Sequence, residues 1–135
     1  MSRVIEQIAG SNRSFDNYQQ AVALFEEINE LEGTAHCYLK MGDILYNWGD
    51  LKGALKRYQR GQKVAQQVGA ETIGAKCLLK MGCVFETWEN PERAMHYYQT
   101  ALAVFQQTMN QKGIAHCVRQ MESCARKLSW QPRDG

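Results

Sequence analysis

At 135 residues, with 44% hydrophobic and 22% charged residues and a formal net charge of +2, the sequence suits one ordinary globular domain. The charge is too small to point to nucleic acid, which usually demands a strongly basic domain. No apolar run approaches the ~20 residues that cross a bilayer, and two prolines in the whole chain, both at predicted element edges, fit a nearly all-helical fold.

In chain order, Met1–Ala9 reads as a short helix of about two turns, with Val4, Ile5 and Ile8 apolar, and Gly10-Ser11-Asn12 reads as a turn. The N-terminus has no apolar stretch followed by a small-residue cleavage site, so no signal peptide is read. Ser14–Ile28 is a predicted helix with Tyr18, Ala21, Val22, Leu24, Phe25 and Ile28 at spacings of three and four. Asn29 closes it, as Gly69 closes a later one, because both residue types tolerate the left-handed conformation. Gly33–Trp48 and Leu51–Val68 follow as a helical pair, with Asp50 as N-cap of the second. A second pair covers Glu71–Trp88 and the stretch from Asn90-Pro91 to Thr108, cap and first helical residue in turn. A last helix spans Gln111–Leu128, and residues 129–135 form a polar tail. Helices of this length are marginal alone, so packing must hold them.

These elements are one unit used repeatedly. Glu32–Ala70 written above Thr72–Asn110 aligns Ala35 with Ala75, Cys37 with Cys77, Lys40-Met41-Gly42 with Lys80-Met81-Gly82, Trp48 with Trp88, Ala54 with Ala94 and Tyr58 with Tyr98. Self-similarity at such a period marks a stacked repeat. The frame gives one domain over 1–128, made of a half-unit 1–30, units 31–70 and 71–110 and a capping helix 111–128. Both ends are ragged. Either the N-terminal helix packs on a second copy, giving a homodimer, or the chain is a piece of a longer array.

The columns resemble the tetratricopeptide repeat, usually written with 34 residues. Its large–x–x–Leu–Gly–x–x–Tyr and Ala–x–x–x–aromatic–x–x–Ala signatures correspond to Tyr38, Met41, Gly42, Leu45 and Ala54, Tyr58, Gly61. In the second unit they correspond to Leu78, Met81, Gly82, Phe85 and Ala94, Tyr98, Ala101. The half-unit matches at Ser14, Tyr18 and Ala21, and the last helix at Val118, Met121, Glu122 and Ala125, with Glu122 where glycine is usual. The forty-residue period resembles the longer-helix branch found in signalling arrays and bacterial multi-repeat proteins. The resemblance implies an all-α helix-turn-helix stack of about three repeats, a right-handed solenoid whose first (A) helices line a concave groove. It also implies a non-enzymatic scaffold for protein or peptide binding, while five cysteines, odd in number and three of them recurring at the repeat period, favour a reducing, cytoplasmic location.

Mapped on that groove, the open positions are His36, Leu39, Lys40, Asp43, Tyr46, Asn47, Lys76, Leu79, Lys80, Cys83, Glu86, Thr87, His116, Arg119, Gln120 and Ser123. Leu39, Tyr46 and Leu79 would supply apolar affinity. Lys40, Lys76 and Lys80, with His36 and His116 nearby, favour an acidic segment. The lysine–asparagine clamp of chaperone-binding relatives would fall on Leu39 and Asp43, so it is absent. A ligand-responsive signalling domain is an alternative reading of the same resemblance, and a redox or metal-linked protein a second alternative. Against the latter, Cys37, Cys77 and Cys117 recur as one structural slot rather than a disulfide framework. The Cys77/Cys83 and Cys117/Cys124 spacings also differ from zinc pairs. No nucleophile–base set and no phosphate loop is readable, so no catalytic residue, metal or cofactor is expected. Trp48 and Trp88 end both A helices and read as packing residues.

Overall fold

The computed structural model describes the backbone of residues 3–130 and the side chains of residues 13–130. It contains α1 (Arg3–Glu27), α2 (Leu31–Asn47), α3 (Leu51–Val68), α4 (Glu71–Thr87), α5 (Pro91–Gln107) and α6 (Gln111–Ser129). There is no strand among the described residues, and none of their helices is long and apolar enough to cross a membrane. The expectations for the side chains of Val4, Ile5 and Ile8, and for the tail over 131–135, lie outside the described residues.

Five turns set the spacing of the stack. A left-handed residue closes each of the first five helices, at Asn29 (φ 58°), Gly49 (87°), Gly69 (70°), Glu89 (60°) and Met109 (56°), a strict twenty-residue interval. The next amide closes back onto the helix, as in Asp50 N–H to the Leu45 carbonyl (2.9 Å) and Asn110 N–H to that of Phe105 (2.9 Å). This Schellman geometry satisfies carbonyls that the helix end would otherwise orphan. The following helix is then capped: Asp50 accepts from Gly53 N–H (2.9 Å), Asn90 from Arg93 N–H (3.3 Å) and Asn110 from Gly113 N–H (2.9 Å). Ala70, at the start of α4, offers no such side chain.

Glu89 and Met109 hold a conformation that disfavours a Cβ by roughly 1–2 kcal/mol, without glycine's freedom. Glu89→Gly and Met109→Gly are therefore expected to stabilise the fold by about 0.5–1 kcal/mol each, part of the gain being lost to the unfolded chain's added entropy. Urea midpoints at constant m check this; an unchanged or lower midpoint for both would refute it.

The N-terminal region differs from expectation. One helix runs through Gly10-Ser11-Asn12 where a turn was predicted. In every real turn the left-handed residue stands at the position equivalent to Ala9, so Gly10 comes one residue late. Glycine, serine and asparagine inside a helix cost only about 0.5–1 kcal/mol each. That is too little to break it without the turn geometry.

Packing follows the repeat. α2 touches α4 and α4 touches α6, whereas α1, α3 and α5 touch only inner helices among the described residues. The stack therefore curves, with α2, α4 and α6 on its concave side. Between helices of a pair, the fit depends on glycine: a Cβ at Gly42 or Gly82 would lie 2.5 Å from the ring of Tyr58 or Tyr98. Both rings are fully buried, at 1% and 0% exposure. A second size exchange runs along the outer helices. Phe25 faces Gly33 and Phe105 faces Gly113, while the same two positions in the middle hold Ala65 and Ile73. On the convex side, between α3 and α5, a recess of about 360 Å3 remains, floored by Ala65, Gly74, Ala75 and Leu78.

Candidate functional site

Helical periodicity aims three columns of side chains from each inner helix into the concavity. The first column holds His36, Lys76 and His116; the second, Lys40, Lys80 and Gln120; the third, Asp43, Cys83 and Ser123. His36, Asn47, Lys76 and Arg119 are exposed, and Lys40, Lys80 and His116 are half-buried. The six cationic or titratable groups form two clusters. Burial, then the charges of Lys40 and Lys76, hold the His36 imidazole below its ordinary value. His116 is lowered likewise by burial and by Lys80 and Arg119. A recess of about 350 Å3 opens beside the second cluster, lined by Asp43, Tyr46, Asn47, Tyr58, Lys80, Cys83, His116 and Gln120. A smaller hollow of about 140 Å3 shares Tyr46, Cys83 and Gln120 with it and continues toward Glu86, Thr87 and Lys127.

The lower wall of the groove is a hydrogen-bonded lattice across the repeats. Tyr58 donates to Asp43 Oδ1 at 2.6 Å, and Lys80 Nζ lies 3.9 Å from the same oxygen. In the next unit the position of Asp43 is Cys83, which is no carboxylate. The matching tyrosine turns to Glu86 instead, one helical turn further on: Tyr98 donates to Glu86 Oε1 at 2.7 Å. Ser123 Oγ (3.0 Å) and Lys127 Nζ (2.6 Å), both on α6, donate to Glu86 Oε2. Burial alone would push the Glu86 carboxyl up. Those three hydrogen bonds and the Lys127 charge outweigh it and hold the group below the usual carboxylate range. Thr87 donates to the Cys83 carbonyl (2.9 Å), which leaves its hydroxyl oxygen to accept from Tyr46 at 2.8 Å.

Two residues expected in the groove are not there. Leu39 and Leu79 are 4% and 2% exposed. Leu39 belongs to the cluster holding Cys77, Met81 and Val84 of α4, and Leu79 to that holding Cys117 and Cys124 of α6. Because successive inner helices touch, a side chain pointing along the stack is sealed between repeats rather than opened to the groove. Asp43, Tyr46 and Glu86 do line the hollows, but each is already hydrogen-bonded within the protein, Asp43 through Oδ1. The sequence reading missed Tyr58, Tyr98 and Lys127 as groove-lining groups. The signal was present in the tyrosine column, since a buried phenol needs an acceptor within reach.

Burial pushes all five thiols up, Cys77 to about 12 and Cys117 to about 11. A raised thiol is the opposite of the lowered one that marks a reactive cysteine. No three metal-ligating side chains lie together among the described residues. Trp48 and Trp88 are 41% and 38% exposed. They flank the core, with ring centroids 5.8 Å from Phe15 and 5.5 Å from Phe85.

Residues 75–108 match the tetratricopeptide repeat family. No curated protein matches the sequence. Among solved structures the chain is similar to BtubC (BKLC) from P. vanneervenii, with a TM-score of 0.61 and 14% identity. That match covers 94% of this chain and 61% of the other, so this chain spans less than two thirds of that protein's length. At such identity the likeness is one of fold.

Proposed function

We propose that this chain, a stack built on the tetratricopeptide repeat, is a non-enzymatic interaction module that holds a peptide or helix of a protein partner in the groove of α2, α4 and α6. One observation carries the reading. His36, Lys40, Lys76, Lys80, His116 and Arg119 gather on the concave face of a chain whose net charge is only +2. Asp43 is the carboxylate of the adjoining recess, and it is already engaged by Tyr58 and Lys80. A concentration of positive charge in a concavity raises the local density of anionic segments and steers them to it. With Leu39 and Leu79 sealed in the core, affinity rests on charge and on the polar hollows rather than on an apolar floor. Asn47 and the half-buried Cys83 remain available to set register.

The test compares the native chain with a Lys40→Glu/Lys76→Glu/Lys80→Glu variant of unchanged helicity. Partners captured by the native chain are identified and their affinities measured directly. Three reversals of about 1 kcal/mol each should weaken binding roughly a hundredfold at low salt. Equal capture of the same partners by both proteins would place binding elsewhere on the surface.

A further inference from the structure

The two cationic clusters have the same construction. In each, a histidine feels the charge of a basic residue on its own helix and of a lysine on α4, Lys40 and Lys76 for His36 and Arg119 and Lys80 for His116, and His116 and Lys80 line one recess. Lys76 and Lys80 are four residues apart on α4 and so share one face, which places the clusters side by side across the groove. We propose that these are two anion subsites, each taking one carboxylate of an acidic segment, and that His36 and His116 take up protons as the segment binds. This inference rests on the groove being the binding face.

The physical basis is the exchange of neighbours. In the unbound groove partial desolvation, then the neighbouring like charges, favour the neutral form of each imidazole. On α2 the neighbour is Lys40 and on α4 it is Lys76, with no charge of α1 or α3 among the described residues acting on His36. For His116 the neighbours are Arg119 on α6 and Lys80 on α4, with none from α5. Asp43 lines the recess beside His116, but its Oδ1 is held by Tyr58 and Lys80, and the charges that move the imidazole are those of Lys80 and Arg119. A carboxylate seated among these groups reverses the balance and favours the imidazolium. By linkage, binding that raises a group's proton affinity tightens as pH falls. The linkage operates near neutral pH, where histidine titrates and lysine and aspartate do not.

The probe is a hexa-aspartate peptide, fluorescently labelled at its N-terminus and amidated at its C-terminus. Its only remaining titratable groups stay ionised from about pH 8 to about pH 6. Fluorescence anisotropy at constant low ionic strength should show affinity rising several-fold across that range, as the proton affinity of both histidines rises on binding. A His36→Gln/His116→Gln variant should show no such rise, whatever affinity it retains at the upper end. A native chain that binds the peptide with the same affinity at both ends overturns the proton linkage and leaves the groove reading intact. So does a double variant that keeps the slope. Failure of the native chain to bind the peptide at either pH overturns both.

Discussion

Replacing Tyr98 with alanine is expected to remove about 3–5 kcal/mol of folding stability. The ring is 0% exposed and fills the notch left by Gly82, so deletion leaves a cavity that two helices cannot close. The hydroxyl is the smaller share. Tyr98→Phe removes the 2.7 Å bond to Glu86 but leaves that carboxylate its two α6 donors, and should cost about 1–1.5 kcal/mol. The two sites must also be coupled. Gly82→Ala in the native chain drives a methyl to 2.5 Å from the ring and should be strongly destabilising, whereas in the Tyr98→Ala background the same methyl enters empty space. Urea titrations of the four proteins close the cycle. A Tyr98→Ala cost below about 1 kcal/mol, or additive effects at 82 and 98, would mean that ring and notch are not a fitted pair.

Glu86→Ala comes next, at about 2–4 kcal/mol, because three donors lose one acceptor and one of them, the Tyr98 hydroxyl, is buried. Its effect is also localised. Glu86 joins α4, α5 and α6, so hydrogen exchange should show the amides of residues 111–129 losing protection more than those of α2 and α3. The native chain carries the same dependence on pH. Glu86 has a folded-state proton affinity below its unfolded one, so its contribution is complete above the unfolded carboxyl value of about 4.3 and declines as pH falls through the lower folded value. Stability of α6 should therefore weaken in acid below about pH 4.3, and Glu86→Gln should flatten that part of the profile. A profile identical for native and Glu86→Gln proteins would show that the lattice is not set by this charge.

The fold was legible because its repeat is written in small residues. Gly42 and Gly82 with Tyr58 and Tyr98 identify a helix pair twice over, and Asp50 and Asn90-Pro91 mark where helices begin. The span Leu51–Val68 is the one the structure shows. What periodicity could not convey was how tightly successive inner helices meet. Leu39 and Leu79 lie on flanks that a single helix would expose, and only contact with the next repeat buries them. Nor could column matching follow Tyr98 to its acceptor, since the position of Asp43 holds Cys83 in the next unit and Glu86 supplies the carboxylate a turn later. The basic positions were legible because lysine and arginine heads seek solvent wherever the backbone takes them. At the N-terminus, a Gly-Ser-Asn triplet suggested a turn, but its glycine is one place out of step with the left-handed positions at residues 29, 49, 69, 89 and 109.

The recess between α3 and α5 has a mechanical consequence. Along the concave side the units are clamped by the Leu39 and Leu79 wedges and the Tyr46–Thr87 bond; opposite, about 360 Å3 stands between the outer helices with alanine and glycine at its floor. Stiffness is thus unevenly distributed. Flexing about the clamped edge compresses or opens a gap that few atoms oppose, so the molecule's softest deformation changes the curvature between its two full units. The width of the concavity can change while its hydrogen-bonded wall stays in register.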